Sequence, residues 1–318
     1  MTQQLQYRIP GRKSVSKKGR FTEVKDFNTL EGFVVSSFDK HRKFHFLEEG
    51  TDSVPESSVS PPYCLTKEEY LKDAELFLQE LKEGGLNKSV FSRVKQVAFE
   101  ADEDEVYNEL CSAYPEAFVY LISSALFGTW VGATPEFLLS ANESKATTLS
   151  LAGTLKSDDK NDWSSKEEHE QEYVSEFIQS RLNTAGVTDV ERRERVDVMA
   201  GPVKHLGTEF TFSMINRSAS EIANILHPTP AVSGQPQKES LELIAKHERH
   251  DRSLYAGIIG VIGKADTQLF VNLRCAQLFD QNAFLYLGGG FTKDSIIEKE
   301  WDETENKAKT LQNIMENL

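Results

Sequence analysis

Between Phe284 and Lys307 the chain gathers residue types suited to chemistry. An apolar strand, Phe284–Leu287, runs into three consecutive glycines, Gly288–Gly290, followed by a short loop and a charged helix. Glycines at a strand end let backbone N–H groups close on an anion that a Cβ would exclude. On the helix, Glu300, Glu303 and Lys307 stand three and four residues apart and so share one face. A glycine turn for an anion beside a carboxylate row for a hard cation describes a metal-assisted site for a carboxylate. A strand, a loop and a solvated helix face would carry the same letters, so the stretch needs partners elsewhere in the chain.

A second acidic helix face offers one. Residues 166–183 read as a helix whose first turns hold Glu167, Glu168, Glu170 and Glu172. Mg²⁺ prefers one or two carboxylates with waters and substrate oxygens, so one glutamate from each helix suffices. Each face alone also fits a solvated charge run. His169 has no second histidine at i+4, which leaves the zinc pattern incomplete. Arg274 interrupts the apolar stretch VNLRCAQL, where an arginine is rare unless paired. A structural ion pair and a bidentate clamp on a substrate carboxylate are both open. Lys88 opens an alternating stretch as either an exposed edge lysine or a buried base with a depressed pKa. Glu136 precedes Phe137, Leu138 and Leu139, company that keeps a carboxyl protonated and able to act as a general acid. The chain has no P-loop, GxGxxG, GxSxG or CxxC pattern.

Rigid elements must bring these groups together. Thr66 and Glu69 form a capping box that opens a helix ending at Gly84-Gly85. Residues 87–100 alternate as a strand, with Lys88, Val90 and Ser92 facing one way and Ser89, Phe91 and Arg93 the other. Further helices are expected over 103–113, 218–226 and 237–247, and in 166–183 an apolar stripe of Tyr173, Phe177, Ile178 and Leu182. Strands are expected over 31–49, 117–127, 146–155, 195–214, 255–263 and 268–278, with a strand, turn and strand over 128–140. The basic cluster in residues 1–20, with no interleaved aromatics beyond Tyr7, favours a solvated N-terminal hairpin over a nucleic-acid arm, and 51–62, TDSVPESSVSPP, reads equally as a surface loop or a domain boundary. Many antiparallel-looking strands with few helices and no βαβ rhythm point to an α+β fold.

At 318 residues, with 39% hydrophobic and 27% charged residues, the composition is that of a soluble globular protein. The balance of 36 basic against 50 acidic residues, −14, argues against nucleic acid or an anionic membrane as partner. A small anionic substrate then needs a locally positive or metal-filled pocket. Cys64, Cys111 and Cys275 lack metal-ligand spacing and cannot all pair, which fits a reducing cytoplasm. No apolar run reaches membrane-spanning length, and the N-terminus lacks a signal peptide's apolar core.

Read together, the segments from about 86 to 318 resemble the chorismate-utilising enzymes, which include isochorismate synthase, anthranilate synthase component I, aminodeoxychorismate synthase and salicylate synthase. The matching motifs run in the family's order: Lys88–Arg93, Gly132-Ala133-Thr134-Pro135-Glu136, Leu151-Ala152-Gly153-Thr154 and Lys166 through Val174. His227-Pro228-Thr229-Pro230-Ala231, Asp251-Arg252 with Tyr255-Ala256-Gly257, Leu273-Arg274-Cys275-Ala276, the triple glycine and Glu300–Thr304 follow.

The resemblance implies one chorismate-binding domain over 1–318, two large antiparallel sheets face to face with helices outside. It has N-terminal strands in 1–50, the 51–62 loop and a catalytic region in 86–318. It also implies that Lys88 activates a water, that Glu136 protonates the departing hydroxyl, and that Glu170 and Glu303 hold Mg²⁺. Gly153, Thr154, His227, Ala231, Tyr255, Arg274, Gly288, Glu300 and Lys307 are then substrate-binding positions. Aminating members carry glutamine at the Lys88 position and commonly threonine at the Ala231 position, so both residues favour isochorismate synthase, for menaquinone or siderophore supply. The alternatives are a salicylate synthase, which goes on to release pyruvate, and a non-catalytic chorismate-binding relative. A cytoplasmic monomer acting on chorismate, without a glutamine amidotransferase subunit, is the expectation.

Overall fold

The computed structural model describes residues 4–48, 59–156, 158–159, 162–200 and 203–318, so residues 51–58 of the expected surface loop lie outside it. The described residues form eighteen strands and six helices. The strands begin with β1 (Gln4–Arg8), β2 (Val15–Lys18), β3 (Arg20–Glu23), β4 (Gly32–Ser36), β5 (Lys43–Leu47) and β6 (Lys88–Ala98). They continue with β7 (Phe118–Ser124), β8 (Gly128–Thr134), β9 (Phe137–Ala141), β10 (Lys145–Lys156), β11 (Glu191–Arg192) and β12 (Val196–Ala200). The last are β13 (Val203–Ser213), β14 (Gly234–Gln235), β15 (Ile258–Ile262), β16 (Thr267–Val271), β17 (Cys275–Phe279) and β18 (Asn282–Phe291). The helices are α1 (Lys67–Glu83), α2 (Glu103–Ala113), α3 (Ser165–Thr184), α4 (Ala219–Leu226), α5 (Gln237–His247) and α6 (Ile297–Asn317).

Two antiparallel sheets result. One runs β14-β6-β18-β17-β8-β7-β1-β2, the other β11-β13-β10-β9-β16-β15-β4-β5-β3 with β12 also on β13. The basic N-terminal stretch is the hairpin β1–β2, and β1 joins the first sheet through β7. β7 explains the layering. Phe118, Tyr120 and Ile122 face the second sheet, where Phe118 stacks on Phe270 at 4.6 Å between centroids. Val119 and Leu121 face the opposite way, onto Val106 and Leu110 of α2 and Leu311 and Met315 of α6. A strand covered on both faces reads as a continuous apolar run, and burying each such side chain contributes about 1.5–3 kcal/mol. Capping boxes at Thr66, Asp102, Ser164 and Ser218 fix the starts of α1 to α4.

Four local expectations change. The stretch 268–278 is not one strand. β16 ends in the ten-stranded sheet, β17 begins in the eight-stranded one, and Asn272–Arg274 carries the chain across. Arg274 therefore stands at a crossover, with φ +49°, and not inside a buried strand. The turn before Glu136 is likewise a change of sheet, from β8 to β9. The glycines do not form a turn either: Gly288, Gly289 and Gly290 lie inside β18, opposite Ser92, Phe91 and Val90 of β6. In α3 the packed face is Val174, Ile178 and Leu182 with Gln171 and Ser175, while Tyr173 is 42% exposed. Gln171 donates to the hydroxyls of Ser150 (2.8 Å) and Ser175 (3.0 Å), a polar seam that docks α3 on β10.

Candidate active site

The two crossovers lie side by side. Thr134 Oγ1 donates to the Val271 carbonyl (2.5 Å), the Val271 N–H to the Glu136 carbonyl (2.9 Å), and the Ala133 N–H to the Arg274 carbonyl (3.0 Å). Three backbone-anchored bonds thus fix Glu136 and Arg274 relative to each other at the seam between the sheets. The pairing of β17 with β18 ends at Cys275 and Tyr286, so β18 carries Gly288–Gly290 on past its neighbour.

The glycines make room for side chains. A Cβ on Gly288 would come within 2.7 Å of the Tyr255 hydroxyl, and one on Gly290 within 2.8 Å of Lys88 Cε. A Cβ on Gly289, on the opposite face, would come within 3.1 Å of Glu300 Oε2. Carbon contacts settle at about 3.5–4.0 Å, so residues with a Cβ would displace Tyr255, Lys88 or Glu300. In α6, Thr304, Ala308, Leu311 and Met315 are buried, which leaves Glu303 and Lys307 flanking that stripe. Lys307 Nζ donates to the Gly288 carbonyl (2.8 Å) and pairs with Glu303 (2.5 Å), and Arg274 donates to the Lys307 carbonyl (3.0 Å).

The charges at this seam act on one another. Burial pushes the pKa of Lys88 down, Glu170 opposes it, Lys307 adds to it, and Glu303 and Glu136 oppose it. Burial pushes Glu136 up to about 7 against the pull of Lys88 and Lys307. A lysine easier to deprotonate than usual thus shares a site with a carboxyl that keeps its proton near neutrality. Of the acidic run on α3, Glu172 pairs with Arg192 (2.6 Å) and Arg195 (2.8 Å), and Glu168 stands 3.8 Å from Arg195. Glu170, half-buried, is the one whose charge is felt at Lys88. Among the described residues no three His, Cys, Asp or Glu side chains could hold a metal. A carboxylate from each of α3 and α6, Glu170 and Glu303, is the kind of donor that Mg²⁺ takes together with water and substrate oxygens.

A supporting layer escaped sequence reasoning. The side chains of Arg252 and Glu248, each 4% exposed, form a buried pair through Nε to Oε2 (2.8 Å) and Nη2 to Oε1 (2.7 Å). Glu248 also accepts from the Ser92 N–H (2.7 Å) and hydroxyl (2.6 Å), and Arg252 donates to the carbonyls of Val232 and Val90. Burial opposes ionisation of Glu248, yet Arg252, His250 and Ser92 hold its pKa below the usual carboxylate range. The pair ties the Tyr255 loop to β6 opposite Gly288; its signal was the acid four residues before the arginine. On the outer face, Arg93 lies 3.8 Å over Trp301, donates to Thr304 (2.8 Å) and pairs with Glu305, clamping α6 to β6.

The remaining expected positions are scattered. Gly153, φ +68°, sits in an irregular stretch of β10 against Trp163, and its carbonyl meets His205 Nδ1 at 2.8 Å. His205 is a candidate the motifs did not single out. The Thr154 side chain lies outside the described residues. Ala231 lies in the turn before β14, whose Gln235 pairs with Lys88. His227 is buried elsewhere: its Nε2 meets the Phe38 carbonyl at 3.2 Å, and nothing brings its ring to Lys88 or Glu136.

A family model described as chorismate binding enzyme matches residues 23–316. The isochorismate synthase EntC of Escherichia coli K12 is 29% identical over 250 residues, 72% of this chain and 62% of that protein. Anthranilate synthase component 1 of Aquifex aeolicus is 26% identical over 266 residues, 79% of this chain and 53% of that protein. The chain thus spans less than two thirds of the length of these two relatives. The solved structure of MenF, the menaquinone-specific isochorismate synthase from Escherichia coli, superposes with a TM-score of 0.82 at 21% identity, covering 98% of this chain and 88% of that one. That likeness agrees with the two-sheet α+β fold, and the family match over 23–316 places this chain among the chorismate-binding enzymes.

Proposed function

We propose that this protein is an isochorismate synthase, an isomerase that adds water at C2 of chorismate and releases the C4 hydroxyl. The observation that carries the reading is the pairing of Lys88, its pKa lowered by burial, with Glu136, its pKa pushed up to about 7. A reaction that needs a base for water and an acid for a departing hydroxyl needs that pair. Neutral Lys88 takes a proton from the water as its oxygen bonds to C2. The ring double bonds shift, the C4–O bond breaks, and protonated Glu136 gives its proton to the leaving hydroxyl, which departs as water. Exchange with solvent then restores both groups.

Chorismate carries two carboxylates. Arg274 and the Gly288 backbone would hold the enolpyruvyl carboxylate, with Tyr255 nearby and Lys307 in support. Glu170 and Glu303 would hold Mg²⁺, which supplies a cationic clamp for the ring carboxylate. Lysine at position 88 favours water activation over amination. None of the described helices is long and apolar enough to cross a membrane. We assign the pathway to menaquinone supply on the likeness to MenF, with siderophore supply as the other outlet.

The test is chromatographic and mass-spectrometric product analysis of chorismate incubated with the protein in Mg²⁺ and in EDTA. A Mg²⁺-dependent isomer of unchanged mass, without pyruvate, supports the proposal. Salicylate with pyruvate assigns the lyase reaction instead, and unchanged chorismate removes the catalytic reading.

A further inference from the structure

A second pocket, of about 270 Å³, opens between the β4–β5 turn, the end of α3 and the start of α5, lined by Lys40, Arg181, Thr184, Asn224, His227 and Gln237 among others. It contains none of the residues placed above at the sheet seam. Its charge is unusual for a chain of net −14. Lys40 Nζ donates only to backbone carbonyls, those of Asn224 (3.1 Å) and His227 (2.8 Å) at the end of α4. Arg181 donates to the neutral Gln237 side chain and lies 5.1 Å over the Phe177 ring. Among the described residues neither cation has a carboxylate partner, whereas Arg192 and Arg195 both hold Glu172 of α3.

The two charges act on each other. Burial pushes the Lys40 pKa down, and Lys43 and Arg181 push it further. Lys40 also adopts φ +61°, a conformation unfavourable for a residue with a Cβ. Beside them, His227 Nε2 meets the Phe38 carbonyl, so that nitrogen carries the proton and Nδ1 is left as a buried lone pair without a donor. Monohydrogen phosphate offers several oxygens to a lysine and an arginine at once, and its O–H suits an acceptor.

We propose that this pocket binds a small dianion of the phosphate class, held by Lys40 and Arg181 and separate from the chorismate site. Its walls lead to Lys88. Gln237, the partner of Arg181, donates to the Pro228 carbonyl (2.6 Å). One turn along α5, Ser240 donates to the Lys88 carbonyl (3.0 Å), and Gln235 of β14 pairs with Lys88. An anion that orders Arg181 and Gln237 therefore acts on the end of β6 that carries Lys88. This coupling rests on the isochorismate synthase reading; the binding itself does not.

The experiment is calorimetric titration of the metal-free full chain with inorganic phosphate, on wild type and on Arg181→Gln, Lys40→Met and Arg274→Gln. Arg181→Gln should weaken binding about tenfold or more, the loss of one charge-assisted bond, and Arg181→Lys should recover part of it. Arg274→Gln should leave it unchanged. Because Lys40→Met strands the Asn224 and His227 carbonyls at the end of α4, Arg181→Gln carries the test if that variant fails to fold. Absence of phosphate binding, or binding lost with Arg274→Gln and kept with Arg181→Gln, overturns the proposal. Titration with glycerol 3-phosphate assigns the site to phosphate monoesters if it matches inorganic phosphate, and to the free ion if it does not bind. Phosphate should also change chorismate turnover in wild type and not in Arg181→Gln. Equal turnover in every case removes the coupling and leaves the calorimetric result standing.

Discussion

Gly290→Ala tests the site through one methyl group. A Cβ at this position would stand 2.8 Å from Lys88 Cε and 3.4 Å from its Nζ. To reach an ordinary carbon contact of about 3.5–4.0 Å, the Lys88 side chain must retreat by roughly 0.7–1.2 Å. Gly290 lies within β18 and has no left-handed φ, so alanine fits the backbone and the perturbation falls on Lys88. Overpacking of this size typically costs about 1–3 kcal/mol of stability. A misplacement of about 1 Å in a reacting group costs on the order of 100-fold in rate. The expected result is a loss of about 10- to 100-fold in kcat for isochorismate formation, with KM for chorismate within a few-fold of wild type. Stopped-assay chromatography gives the rates, and urea unfolding confirms that the variant is folded. A folded Gly290→Ala with kcat within twofold of wild type would refute the reasoning, because Lys88 could then move without consequence.

Three further predictions rest on separate contacts. Glu136 titrates near 7 in the folded chain against an ordinary value of 4.5, so the folded state binds the proton more tightly and stability falls as pH rises between those values. Glu136→Gln should therefore lose activity by about 10²- to 10⁴-fold yet be more stable than wild type at pH 8, by about 3 kcal/mol for the rise from 4.5 to about 7. That advantage should vanish below pH 4.5, and calorimetry at the two pH values checks it. Glu248→Ala leaves the buried Arg252 charge without its partner and should cost about 3–5 kcal/mol in urea unfolding; a loss below about 1 kcal/mol would show that the pair is dispensable. Glu303→Gln should move the Mg²⁺ activation curve to higher concentration by about tenfold or more, and a curve that overlays wild type would remove Glu303 from the metal.

The sequence made the fold class legible because its signals are local. Capping boxes, the alternation of 87–100 and the continuous apolar run of β7 each depend on neighbours within a few residues. The motif order singled out Lys88, Glu136, Glu170, Glu303 and Lys307, and the structure gathers these charges into one electrostatic group. What stayed hidden depends on distant partners. Arg274 reads as a strand residue because β16 and β17 are both apolar, and only their pairing with β9 and β8 places them in different sheets. The glycine run reads as a turn because nothing nearby in sequence shows that Val90, Phe91 and Ser92 pair with it. The face of Glu170 could be read from helical spacing, but the neutralisation of Glu172 needed Arg192 and Arg195, twenty or more residues further on. His227 sits in a matching motif while its ring faces another pocket, so a motif can place a residue near a site without directing its side chain there.

The central claim is that solvent water attacks C2 while the C4 hydroxyl leaves. Chorismate incubated with the protein and Mg²⁺ in ¹⁸O-water, sampled at early conversion, tests it by mass spectrometry. The account predicts isochorismate carrying one ¹⁸O in its ring hydroxyl, with label uptake abolished in Lys88→Gln. Unlabelled isochorismate, or equal labelling by the Lys88→Gln variant, would contradict it.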